Sequence, residues 1–191
     1  MLILVRHGES AGNRAGLLLG RMESPLTDSG SAQAAALAGR FPSLGRVVSS
    51  PLGRARATAL ALAGDLPLEF DDRWLEVDYG ELDGTRLADV PADLWKAWRA
   101  DPGFRPPGGE TLLEMGERVR GACRELFAED GAGARAGTDV VVVSHVSPIK
   151  AAVAWALGLG DELAWRLHLS TASVTRIGWG HDGPVLHQFN G

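Results

Sequence analysis

The chain has 191 residues, of which 45% are hydrophobic, and a formal net charge of -5. Its length predicts one domain over residues 1–191, and its acidic balance argues against a nucleic-acid partner, which would need a basic surface. Cys123 is the only cysteine, which excludes an intrachain disulfide and a cysteine metal cluster. The apolar residues 1–5 meet Arg6 at once and are too short for a signal peptide, so we expect a cytoplasmic protein without a membrane partner.

The predicted elements alternate between strands and helices along the chain. Apolar runs predict strands over residues 1–5, 46–50, 66–70 and 138–144. Between and after them, capping residues and helical periodicity predict helices over residues 27–41, 51–63, 87–99, 110–130 and 148–157. Glycines, prolines and acidic residues predict loops over 6–26, 74–84 and 101–109, and the last thirty or so residues alternate like antiparallel strands. This order predicts an α/β fold whose central strands are parallel.

Charged side chains follow three of the predicted strands. Arg6 and His7 come after the first strand, Arg54 just after the second, and His145 after the valine run 140–143. Ligands of parallel sheets bind at the carboxyl ends of the strands, so we expect these four residues to converge there.

The residue types at this edge suit phosphoryl chemistry. A neutral imidazole, held by a backbone carbonyl, is a competent phosphoryl acceptor, and Gly8 allows close approach of the backbone. Arginines match phosphate oxygens, and a helix start near Arg54 also favours an anion. A protonated His145 could neutralise charge on the transferring group, and the helix after it could add backbone donors. Taken alone, His7 and Arg6 are better explained as a surface histidine and a solvated strand end. Arg54 alone is compatible with an ordinary surface ion pair, and His145 alone with a buried core histidine.

A proton donor for the leaving group is expected among the acidic residues of the 74–84 loop. A carboxyl can protonate a leaving alkoxide and then accept a proton from the attacking water. Glu76, Asp78, Glu81 and Asp83 all satisfy this requirement, so chemistry alone leaves the choice open. The five histidines lack zinc-motif spacing and no phosphate-binding glycine-rich loop ends in Gly-Lys, so we expect neither a metal nor another cofactor.

The ordered motifs resemble those of the histidine phosphatase superfamily, also called phosphoglycerate mutase-like, over nearly the whole chain. They are residues 4–10 with Asn13, 24–27 with Gly30, 49–51 through Thr58, Glu76 with Gly80, 107–111 and 143–145. The resemblance implies a three-layer α/β/α fold with a mostly parallel central sheet flanked by helices. It also implies metal-free catalysis.

The resemblance also implies roles for individual residues. His7 is then the phosphorylated nucleophile, with Arg6, Arg54 and His145 as its phosphate pocket, and Glu76 is the proton donor. Further substrate or phosphate contacts are implied for Ser10, Asn13, Arg21, Glu110 and Thr111. Many members continue the second histidine with glycine. Here Val146 follows, in a run 146–150 similar to that of actinobacterial phosphatases resembling the α-ribazole phosphatase branch.

Three functions are compatible with this resemblance. A phosphatase is favoured over a mutase because the interval between Glu76 and His145 is short, which predicts an open pocket that admits water. A non-catalytic phospho-ligand binding module would be expected to lack His7 or the acid. The predicted partner is a small phosphomonoester, such as α-ribazole phosphate or a sugar or acid phosphate, and phosphoprotein is an alternative. The pocket mouth could include Leu17, Leu18, Leu19, Arg21, Trp95, Trp98, Phe104 and Arg105, and the C-terminal strands could pair in a homodimer.

Overall fold

The computed structural model describes residues 1–128 and 138–191. Its strands are β1 (Leu2–Arg6), β2 (Leu44–Ser49), β3 (Leu68–Phe70), β4 (Asp139–Ser144), β5 (Val174–Trp179) and β6 (Pro184–Gln188). Its α-helices are α1 (Ala11–Arg14), α2 (Asp28–Ala35), α3 (Gly53–Ala63), α4 (Ala92–Ala100), α5 (Leu112–Leu126) and α6 (Val146–Leu157). Short 3₁₀ helices cover Asp72–Trp74, Gly80–Leu82 and Asp161–Arg166. In the part of the chain described, no helix has the length and apolar character needed to cross a membrane.

The six strands form one mixed sheet in the order β3-β2-β4-β1-β5-β6. The first four of these are parallel to one another, whereas β5 runs antiparallel to β1 and β6 antiparallel to β5. The predicted mostly parallel sheet is therefore confirmed. The parallel part brings the carboxyl ends of β1, β2 and β4 to one edge, because these three strands are neighbours.

Successive residues of the central strands face two different helical layers. Leu2 and Leu4 of β1 belong to the core that contains residues of α5 and α6, while Ile3 and Val5 belong to the core under α3. The valines of β4 divide in the same way between the two cores. This alternation follows from the two-residue period of a strand and gives the predicted three-layer α/β/α arrangement. Cys123 of α5 is fully buried in the first core, and burial raises the pKa of its thiol, as a core role predicts.

Several predicted helix boundaries were wrong. The helix predicted over 27–41 begins after its N-cap Thr27 and ends at Ala35, where turns replace it. The helix predicted from residue 87 begins only at Ala92, with Pro91 as its N-cap, because the residue before a proline disfavours the helical conformation. The loop predicted over 6–26 contains the one-turn helix α1. The helix predicted over 110–130 ends at Leu126, and the last two residues of that prediction lie outside the described residues.

Two glycines allow the loop after β1 to pack directly against the start of α2. A Cβ atom on Gly30 would lie 1.9 Å from the Glu9 carbonyl oxygen, and one on Gly8 would lie 2.3 Å from the Gly30 carbonyl oxygen. Both neighbours are backbone atoms, which cannot move without shifting the loop that carries His7.

We expect Gly30→Ala to lower the free energy of unfolding by about 1–3 kcal/mol, since overpacked sites typically cost this much. The matched control is Gly121→Ala in α5, where a Cβ would have no atom within 4 Å. That change should raise the free energy of unfolding, by up to about 1 kcal/mol, because alanine is the better helix former. Urea unfolding of the two variants measures both values, and equal stabilities would contradict the expectation.

Candidate active site

The structure brings Arg6, His7, Arg54 and His145 together at the edge where β1, β2 and β4 end. Arg6 of β1 pairs with Ser144 of β4, so the two histidines follow neighbouring strand ends. Their ring centroids lie 5.1 Å apart. Both histidines and Arg54 are buried, with at most 3% of their surface exposed. The residues that the strand order predicted to converge therefore form one cluster.

The His7 ring is held in one tautomer. Its Nδ1 lies 2.7 Å from the Gly8 carbonyl oxygen, which can only accept, so Nδ1 donates and Nε2 carries the lone pair. Burial lowers the pKa of His7 well below its ordinary value, and the positive charges of Arg54 and Arg6 lower it further. His7 is therefore neutral at neutral pH. A neutral imidazole with a free Nε2 is the form that can attack phosphorus.

The two arginines are fixed by backbone carbonyls and retain donors beside His7. Arg54 donates from Nη1 to the Met22 oxygen at 2.9 Å and from Nη2 to the Gly20 oxygen at 2.8 Å. Arg6 donates from Nη1 to the Leu169 oxygen at 2.6 Å. The Nε atoms of both arginines are buried and have no hydrogen-bond partner within the described residues. Oxygens of a bound anion would satisfy such donors, because buried polar atoms rarely stay unpaired.

His145 lies in a position that disfavours its protonated form. Its Nε2 is 2.8 Å from the Ser50 hydroxyl oxygen, and no partner for Nδ1 is found in residues 1–128 and 138–191. Burial lowers the pKa of His145 well below its ordinary value, and the positive charges of Arg54 and Arg6, together with any proton on His7, act in the same direction. The protonated His145 expected from the sequence would need an anion beside it, so that expectation stays a prediction.

The structure separates the four carboxylates that the sequence left as alternatives. Glu76 lines the cavity above His7 with only 4% of its surface exposed. Its Oε1 accepts from the backbone N–H of Val77 at 2.8 Å and from that of Ser147 at 3.2 Å. The backbone donor expected at the start of α6 therefore serves Glu76. The other three carboxylates are absent from this cavity wall. Two of them have structural roles, since Asp83 accepts hydrogen bonds from the backbone N–H groups of residues 20–22, and Asp78 accepts one from the backbone N–H of Gly80.

Arg118 of α5 fixes the loop that carries Glu76. Its guanidinium donates to the backbone oxygens of Arg73 at 2.7 Å, Leu75 at 2.8 Å and Glu76 at 3.2 Å. Glu110 accepts from the same guanidinium at 2.7 and 2.8 Å. This clamp positions Glu76 relative to the sheet, and nothing in the sequence pattern predicted it.

The predicted substrate-contact residues divide into two groups. Asn13 lines the cavity and forms a capping box with Ser10 at the start of α1. Glu110 binds Arg118 and lies 3.6 Å from Nη2 of Arg21, whereas Thr111 caps α5. Arg21, Glu110, Thr111 and Ser10 are not among the residues that line the cavity, so substrate contact by these residues stays a prediction.

The cavity above His7 has a volume of about 340 Å³. Of the residues predicted at the pocket mouth, those on its wall are Leu17, Leu18, Leu19, Trp95 and Trp98. Phe104 and Arg105 are not part of the wall. The cavity is also lined by residues that the sequence did not predict there: Tyr79, Leu87, Leu112, Ser147, Lys150, Ala164 and Trp165. Ser147 carried one usable signal, since the first turn of a helix that follows a strand end faces the crevice.

The two buried histidines predict a pH dependence of stability. Because the folded pKa of each lies below its ordinary value of 6.5, the unfolded chain binds protons more readily, and stability falls as the pH drops below about 6.5. Each histidine contributes a slope of up to about 1.4 kcal/mol per pH unit. His145→Asn should therefore reduce the loss of unfolding free energy between about pH 7 and pH 5, measured by urea unfolding. His181→Asn is the control, since the His181 side chain is 97% exposed, and an identical slope in all three proteins would contradict the expectation.

Comparison with known proteins agrees with this geometry. The profile of the histidine phosphatase superfamily (branch 1) matches residues 2–191. A bifunctional protein of Mycobacterium tuberculosis is 36% identical over an alignment that covers 95% of this chain and 51% of the relative. The chain thus spans about half the length of the curated mycobacterial relatives it matches.

Two solved structures show the same fold over nearly their whole lengths. A mycobacterial glucosyl-3-phosphoglycerate phosphatase in complex with VO3 is 30% identical, with a TM-score of 0.88, and the match covers 99% of this chain and 98% of that one. The α-ribazole phosphatase of Shigella flexneri is 26% identical, with a TM-score of 0.84 and coverage of 100% and 96%.

The fold and the cluster at the sheet edge agree with the family that these comparisons identify. The chain belongs to the histidine phosphatase superfamily, branch 1.

Proposed function

We propose that this chain is a metal-independent phosphomonoesterase that acts through a phosphohistidine at His7 on a small phosphorylated metabolite. The observation that carries the proposal is the His7 ring, which is neutral and has its Nε2 lone pair free in a cavity that Arg6 and Glu76 also line. A nucleophile, a cation and a potential proton donor are thus available to one bound phosphate group.

The proposed reaction has two steps. His7 Nε2 forms a bond to phosphorus as the bond from phosphorus to the leaving oxygen breaks, and Glu76 gives its proton to that oxygen. Water then attacks the phosphorus of phospho-His7, Glu76 accepts the proton of this water, and inorganic phosphate leaves with His7 restored. Arg6 and Arg54 balance the charge of the phosphoryl group in both steps.

Several finer expectations belong to this proposal. The metabolite could be α-ribazole phosphate or a sugar or acid phosphate, which agrees with the names of the solved phosphatases that this chain resembles. Hydrolysis is favoured over mutase-type transfer because only a short interval separates Glu76 from His145. We further propose one catalytic domain over residues 1–191, acting in the cytoplasm. A homodimer is an additional expectation.

The test is a pair of assays on the purified protein in the presence of EDTA. We expect release of inorganic phosphate from p-nitrophenyl phosphate and from 3-phosphoglycerate without added bisphosphoglycerate. Rapid denaturation during turnover of a radiolabelled substrate should trap acid-labile phosphate on the protein. Isomerisation of 3-phosphoglycerate without phosphate release would instead identify a mutase, and binding without either reaction would identify a phospho-ligand binding module.

A further inference from the structure

The cavity wall away from His7 is apolar and aromatic. Trp95, Trp98 and Trp165 contribute three indole rings whose centroids lie 5.8 to 6.1 Å from one another. Leucines complete the wall at positions 17, 18, 19, 87 and 112. Such a surface does not stabilise a bound phosphate group, because the group is fully charged. The wall therefore fits the part of a substrate that leaves with the ester oxygen, and it favours a planar or hydrocarbon body there.

Lys150 places a second kind of cation on this wall. It lies in the first half of α6, and its Nζ donates to the Ala164 carbonyl oxygen at 2.8 Å, so the ammonium is tied to the segment that carries Trp165. An ammonium has three donors, and in the described part of the chain this is the single hydrogen bond that its Nζ makes. Burial lowers the pKa of Lys150, while the negative charge of Glu76 opposes that change and the positive charge of Arg6 adds to it.

The charges in the site leave Lys150 without a counter-ion at the moment of reaction. A phosphomonoester dianion is matched by Arg6 and Arg54. Glu76 balances Lys150 only as a carboxylate, and it must carry a proton in order to act as the acid. One positive charge then remains in a partly buried cavity, where it interacts strongly with any anion.

We infer that Lys150 binds a carboxylate carried by the leaving-group part of the substrate, whose body packs against the tryptophan wall. The substrate class is thus a phosphomonoester of a hydroxy acid that contains an aromatic or otherwise apolar portion. This inference rests on the proposed function, since it assigns the leaving group of the same reaction. Lys150 contacts the substrate away from the reacting atoms and determines specificity.

The experiment compares esters that differ only in the carboxylate. Wild-type protein and Lys150→Met are assayed for kcat/KM with benzyl phosphate and with its 3-carboxy and 4-carboxy derivatives. We expect the wild type to prefer at least one carboxylated ester by about tenfold or more, as a charge-assisted hydrogen bond provides. Lys150→Met should lose this preference, so that its kcat/KM values for the three esters become similar, because methionine keeps the apolar stem but removes the charge. Lys150→Arg, which keeps the charge, should retain the preference.

Each of the other outcomes of this experiment leads to a different conclusion. No preference in the wild type, or a preference that Lys150→Met keeps, would overturn the assignment of Lys150. An equal loss on all three esters would place Lys150 on the phosphate group, which also overturns the inference while the phosphatase proposal stands. If the wild type hydrolyses none of the three esters nor p-nitrophenyl phosphate, the proposed function itself fails.

Discussion

Replacing His7 by alanine is expected to lower kcat by at least about 10⁴-fold and to abolish acid-labile phosphate on the protein. The physical reason is that no other described nitrogen is placed as Nε2 is. His145 is fully buried and is not among the residues that line the cavity, so it is not placed to replace the nucleophile. The measurement combines steady-state release of phosphate from p-nitrophenyl phosphate with trapping of the phosphoprotein in an alkaline denaturant, followed by a test of its lability in acid.

The control for this prediction is His181→Ala, because that histidine is exposed and remote from the cluster. Circular dichroism and the urea midpoint should show that the His7→Ala protein remains folded, since the His7 backbone still pairs with Ser144 and Ala172. Turnover within about tenfold of wild type in a folded His7→Ala protein would reject the phosphohistidine mechanism.

The second large effect is expected from Glu76→Gln, and its size should depend on the leaving group. For an alkyl phosphomonoester, whose departing alkoxide needs a proton, kcat/KM should fall by about 10²- to 10⁴-fold. For p-nitrophenyl phosphate the fall should be much smaller, because nitrophenolate is a weak base that leaves without a proton. The ratio of the two losses, measured with the same enzyme preparation, is the decisive quantity.

Glu81→Gln is the matched control for this series, since Glu81 is an exposed carboxylate in the same loop and is absent from the cavity wall. It should leave both kcat/KM values within about threefold of wild type, as surface substitutions away from a site usually do. Equal losses with both substrates in Glu76→Gln would indicate that Glu76 supports the loop at the start of α6 and does not transfer a proton.

The fold and the cluster of Arg6, His7, Arg54 and His145 at the sheet edge could largely be predicted from local sequence. The run 140–143 is valine throughout and reads as a buried strand in any context, and parallel strands bring His7 and His145 to one edge by topology alone. Helix ends were harder to predict. Residues 36–41 keep an apolar, alanine-rich composition, yet residues 36–39 form turns, and Gly39 adopts a positive φ of 74° that a helix cannot contain.

The parts of the site that could not be predicted from the sequence depend on long-range contacts. Chemistry could not choose among four carboxylates, because the choice is made by Arg118, which clamps the loop from 42 residues away. The role of Glu110 was equally hidden, since its partner is that arginine. The position of Lys150 in the wall depends on its hydrogen bond to the Ala164 carbonyl oxygen. Ala164 lies in the 3₁₀ helix Asp161–Arg166 after α6, and the apolar periodicity of the sequence does not predict this contact.

The hydrogen bond from His7 Nδ1 to the Gly8 carbonyl has a further consequence for the intermediate. Phosphohistidine exists as two isomers, which differ in the ring nitrogen that carries phosphorus. Because Nδ1 faces a carbonyl oxygen at 2.7 Å, a phosphoryl group cannot be accommodated there. The trapped adduct should thus be a single regioisomer, with phosphorus on Nε2, and phosphorus NMR of the denatured phosphoprotein would show one phosphohistidine resonance.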